Sequence, residues 1–95
     1  MTNKQTVLRP IGVSEINPVY DDKGNMSGWG MTVTYDGLSG SPLHVGGARI
    51  DVKNSGKHTL AEYVFPESVM QQGLRRAYLF RDAMLRQIAI RSVER

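Results

Sequence analysis

Trp29-Gly30-Met31-Thr32-Val33-Thr34-Tyr35 alternates large apolar side chains with glycine and threonine. Successive residues of a strand point to opposite faces, so this two-residue period predicts a half-buried strand with Trp29, Met31, Val33 and Tyr35 on its inner face. Such a strand needs neighbours and a cover, and the flanking sequence offers both. Immediately upstream, Asp21-Asp22-Lys23-Gly24-Asn25 is turn chemistry, with Gly24 or Asn25 suited to positive φ. Thr6 to Tyr20 is strand-like but contains Pro10 and Pro18, which cannot donate to a ladder, so it is expected at a sheet edge or as an irregular arm. Downstream, Asp36 to Pro42 reads as a turn region and Leu43 to Val52 as a strand broken by a bulge at Gly46-Gly47. Asn54 to Lys57 turns again, and His58 to Phe65 reads as a fourth strand.

From Pro66 onward the period changes. Pro66 suits the first position of a helix, Glu67 favours the positive end of its dipole, and no later proline interrupts the chain. At about 100° per residue, Val69, Met70, Gly73, Leu74, Ala77, Phe80, Met84, Leu85 and Ile88 fall on one continuous apolar face. The expected fold is α+β, a single domain over residues 1–95. Residues 1–65 form an antiparallel sheet of three to four strands, and residues 66–95 form one long helix packed on one face. A helix from Pro66 to about Val93 would be roughly 42 Å long. A globule with a radius of gyration of roughly 12 Å is only about 32 Å across, so the helix is expected to bend, with Gly73 the candidate hinge, or to project past the sheet.

The chain is 40% apolar and 22% charged, a balance that supports an ordered globular core. It has no cysteine, which excludes disulfides and thiolate metal sites and fits a reducing cytosol. Its apolar runs are too short to span a bilayer and its polar start lacks a signal segment, so a soluble cytoplasmic protein with no membrane partner is expected. Charge is distributed unevenly. Residues 66–95 carry six arginines against three acids, whereas bases and acids cancel over residues 1–65. Arginine's planar fork grips carboxylate or phosphate through two parallel bonds, which a lysine ammonium cannot do.

On the helix, Leu79, Ala83 and Ile90 form a second apolar stripe opposite the core face, flanked by Arg75, Arg76 and Arg86. Apolar contact framed by arginine has the make-up of a partner-binding surface, although isolated surface leucines on a solvated basic face are also ordinary. The same stripe offers a self-complementary patch for a homodimer. Arg81 falls inside the apolar sector and must either snorkel out of it or find an acid, for which Asp51 or Glu62 on a neighbouring strand is the candidate. Arg49, Lys53 and Lys57, with Arg91 of the helix, are candidates for nucleic-acid phosphates, but Asn54-Ser55-Gly56 is explained as well by an ordinary turn. Trp29, Tyr20, Tyr35, Tyr63 and Tyr78 would stack bases only if they shared a surface, and alternation on strands favours the core. His44 and His58 lack further ligands at metal-site spacing, and Lys23 interrupts any calcium-loop reading of Asp21, Asp22 and Asn25. No nucleophile elbow, cysteine or catalytic histidine pattern is present, so neither an enzyme nor a cofactor is expected.

A short cysteine-free chain in which strands such as WGMTVTY precede one charged helix, LRRAYLFRDAMLRQ, resembles the anti-CRISPR proteins. These are small phage-encoded inhibitors of bacterial RNA-guided defence complexes. The resemblance covers general character and carries no residue roles. It implies a non-catalytic protein in the host cytoplasm that occupies a surface of a larger protein or protein–RNA complex; the alternative that the arginines themselves suggest is a small accessory protein that contacts RNA or DNA directly through the same basic helix. The basic helix departs from the acidic, DNA-mimicking members of that class.

Overall fold

The computed structural model describes the backbone of residues 7–93 and the side chains of residues 7–90. In chain order the elements are β1 (Arg9–Val13), β2 (Asn17–Tyr20), β3 (Met26–Asp36), β4 (Arg49–Ser55), β5 (His58–Pro66) and α1 (Gly73–Val93). The fold is α+β, a five-stranded antiparallel sheet with one long helix packed on it. The sheet runs β1-β3-β5-β4, and β2 shares the β1 edge by pairing with the other half of β3. What the prolines predicted as one edge segment is thus two short strands laid end to end. Ser14 joins them: its amide donates to the Thr32 carbonyl at 2.9 Å, and its Oγ accepts the Thr32 amide at 2.8 Å.

The β2–β3 connection is the expected turn. Asp21 accepts the amides of Lys23 and Asn25 at 2.9 Å each, and Gly24 takes the positive φ of 84°. At the other hairpin, Ser55 pairs with His58 across a two-residue loop, Gly56-Lys57. The expected strand from Leu43 is corrected, because residues 43–48 are loop and β4 begins only at Arg49. Their polar backbone groups are used elsewhere: Val45 closes a turn onto Ala48, and the Leu43 carbonyl accepts a hydrogen bond from the core.

Register sorts the two faces of the sheet. Met31, Tyr63 and Ile50 lie on one line across β3, β5 and β4, and Val33, Ala61 and Val52 on the next. α1 covers this face over β3 and β5, where Phe80 packs against the rings of Tyr63 (centroids 4.6 Å apart) and Phe65 (5.7 Å). Leu8, Met31, Val33, Tyr35, Ala61, Tyr63, Phe65, Ala77, Phe80 and Met84 make one buried core. All four inner residues of the decisive strand face it, with Trp29 half-buried at its margin.

The helix starts later than its sequence signals suggest. Pro66 ends β5 opposite Gly28, and the Glu67 amide extends that pairing by donating to Ser27. A turn then brings Gly73 hard against the strand it has just left. A β-carbon on Gly73 would lie 2.5 Å from the Pro66 carbonyl oxygen and 2.7 Å from that of Phe65, so only glycine fits. Glu67 does serve the positive end of the helix, from six residues upstream. Its carboxylate accepts the Gly73 amide at 2.8 Å and the Trp29 indole N–H at 3.0 Å, and these bonds, the indole's foremost, hold its pKa below the ordinary carboxylate range.

The predicted apolar seam narrows accordingly. Gly73, Ala77, Phe80 and Met84 are buried, but Val69 and Met70 precede the helix and are 94% and 91% exposed, and Leu85 is 40% exposed. The geometric conflict over length also disappears. Twenty-one residues span about 31 Å, which fits within a molecule measuring 44 × 29 × 27 Å with a radius of gyration of 14.4 Å.

Candidate docking surface

Because Gly73, Ala77, Phe80 and Met84 point α1 into the sheet, the opposite side of the helix is set towards solvent. Leu79 and Ile90 lie there at 59% and 55% exposure, with Arg75 and Arg86 exposed beside them and Ala83 partly covered. Neither arginine has a hydrogen-bond or ion-pair partner among the described residues, where the one ion pair is Arg9–Asp36 across β1 and β3 at 2.8 Å. Two guanidinium groups and two large aliphatic side chains are thus presented together on a rigid helix.

Arg76, grouped with them by the helical wheel, is spent differently. It folds back over the Phe65 ring, with its guanidinium carbon 5.4 Å from the centroid, and donates to the Gly46 carbonyl. Gly46 and Gly47 therefore form the seat of an arginine and not a bulge in a strand. This contact combines cation–π attraction with a charge-assisted hydrogen bond, and it ties the 43–48 loop to the helix.

Arg81 does leave the apolar sector, as its cost in a core requires, but its partner is not an acid. Its Nε donates to the Ser14 carbonyl at 2.8 Å, at the corner between β1 and β2. Asp51 and Glu62 are out of reach, because register places both on the sheet face that α1 does not cover. Around Arg81 the corner opens into a small polar cavity of about 250 Å³ lined by Glu15, Ile16, Tyr78 and Arg81. Tyr78 is 55% exposed on this flank. Leu85, assigned by the wheel to the core, is likewise partly exposed, so α1 has a second accessible flank that helical periodicity did not separate from the seam.

Arg49 and Lys53 project from the far face of the sheet, alternating along β4 with the core-side Ile50 and Val52, and Lys57 sits at the tip of the β4–β5 hairpin. The structure therefore does not bring these cations together with Arg75 and Arg86. The side chain of Arg91 lies outside the described ones. The aromatic residues do not converge either: Tyr35 and Tyr63 are fully buried, Trp29 is tied to Glu67, and Tyr20 and Tyr78 are exposed on different elements.

Among the described residues no three His, Asp or Glu side chains group as metal ligands would, and no helix is long and apolar enough to cross a membrane. Comparison of the chain with protein-family models, curated proteins and solved structures gives no match.

Proposed function

We propose that this protein is a non-catalytic docking protein and that the outward face of α1 is its partner-binding surface. The observation that carries this reading is the exposure of Leu79 and Ile90 beside Arg75 and Arg86, on a helix already held to its own sheet by Phe80 and Met84. Neither aliphatic side chain is needed to keep the helix in place. Aliphatic anchors rimmed by unpaired arginines match the make-up of a protein interface, with an acidic rim on the partner. In this reading the resemblance to anti-CRISPR proteins points to a bacterial RNA-guided defence complex as the partner and to stoichiometric inhibition as the effect.

The test is binding to purified effector complexes by interferometry, paired with inhibition of their target cleavage. Leu79→Asp is expected to weaken binding by at least about 2 kcal/mol, and Arg86→Glu to weaken it through lost charge complementarity. Unchanged affinity in both variants would remove the helix face from the proposal. Absence of binding across the effector classes would remove the inhibitor reading.

A further inference from the structure

The two edges of the sheet are built differently. The β1–β2 edge carries Pro10 and Pro18, shifts register within each strand, and is broken at Ser14, so it offers no continuous row of donors and acceptors. The β4 edge has none of these defences. Seven residues, Arg49 to Ser55, pair regularly with β5 on one side and, among the described residues, with no strand on the other, and contain no proline. Val52 stands 51% exposed on the core-side face, beyond the cover of α1. On the opposite face Asp51 is paired in register with Glu62, like charge against like, and neither has an ion-pair partner among the described residues.

We infer that β4 is a homodimer interface, in which two copies pair antiparallel through this edge about a two-fold axis centred on Val52. In that register Val52 meets Val52, Ile50 meets Asn54, Arg49 meets Ser55, and Asp51 of each copy meets Lys53 of the other. Two opposite-charge cross-strand pairs form, and each brings a cation to an aspartate now opposed only by Glu62. The neighbouring symmetric registers are rejected by charge. A shift of the axis to Asp51 sets aspartate against aspartate and Arg49 against Lys53, and a shift to Lys53 sets lysine against lysine. Strands paired across such an axis keep their faces, so one ten-stranded sheet results, with both helices on the same side. The broken β1–β2 edges then form its ends and stop growth at two copies.

This surface shares no residue with the helix face, so the two readings stand or fall separately. A seven-residue edge is small for a dimer, and dissociation constants on the order of 10–100 µM are expected. Sedimentation equilibrium over that range should show the 10.6 kDa chain doubling its mass. Asp51→Lys and Lys53→Asp should each weaken the dimer about tenfold by turning both cross-strand pairs repulsive. The double variant Asp51→Lys/Lys53→Asp should restore it, and Leu79→Asp should leave it unchanged. Because the chain has no cysteine, Val52→Cys adds a clean second readout: mild oxidation should cross-link it through its symmetric partner, while Leu38→Cys on an exposed loop should stay uncross-linked. A wild-type monomer at about 1 mM, failure of the double variant to rescue, or loss of the dimer in Leu79→Asp would overturn the proposal.

Discussion

Tyr63 is held through its phenol as well as its ring. Its hydroxyl donates to the Leu43 carbonyl at 2.5 Å and accepts that of Tyr35 at 2.5 Å, inside a core where both side chains are fully buried. Two polar groups are satisfied by one chain of hydrogen bonds, and a loop without secondary structure is fastened to the sheet. Burial pushes both phenols above the ordinary tyrosine range. The neutral phenols are favoured in the folded state, so their contribution is complete below the unfolded value of about 10 and is lost as pH rises beyond it. In an alkaline titration, two of the four tyrosines should form phenolate only in step with the loss of near-UV circular dichroism. Tyr63→Phe should cost about 1–3 kcal/mol by stranding the Leu43 carbonyl, measured by urea unfolding; an unchanged midpoint would show that the loop does not depend on this bond.

At the level of the element, α1 places the residue that anchors it and the face proposed for docking within one turn of each other. Phe80 contacts two core rings, and Phe80→Ala should cost roughly 3–5 kcal/mol. Leu79→Asp, one residue away, should move the thermal midpoint by no more than the effect of an ordinary surface substitution, within about 0.5 kcal/mol. If Leu79→Asp melts the protein and Phe80→Ala does not, the orientation of the helix is wrong. The central strand was legible because its alternation is local: each side chain of Trp29 to Tyr35 declares its own face. The helix face was legible for the same reason at Ala77, Phe80 and Met84. Its start was not, because proline followed by glutamate suits a strand end with a carboxylate cap as well as a first helical turn. The difference lies in the approach of Gly73 to the Phe65 and Pro66 carbonyls, a contact made by the tertiary fold. Val69 and Met70 were assigned to the core through that early start, and Leu85 through a helical face drawn wider than the sheet covers. Arg76 was equally opaque, since the Gly46 carbonyl that receives it lies thirty residues away.

Across the whole molecule, the separation of charged surfaces limits what nucleic acid can do here. Arg49, Lys53 and Lys57 share the far face and hairpin tip with Asp51 and Glu62, while Arg75 and Arg86 lie beyond the sheet. The far face also carries Arg9, but Asp36 holds it, so a duplex laid there meets three described cations without an ion-pair partner, which at about −0.9 each gives a log–log salt slope of about −2.7. Fluorescence anisotropy against salt concentration measures it, and Arg86→Glu should leave that slope unchanged. A slope near −3.6, the value for about four phosphates, would mean that Arg9 leaves Asp36 for the ligand or that a cation from the helix side reaches it. The tie between Trp29 and Glu67 has a practical use of another kind. Trp29 is the only indole in the chain, and its N–H is bonded to the carboxylate that caps α1. Its emission is therefore a built-in optical gauge of whether the helix is seated, readable with no label attached.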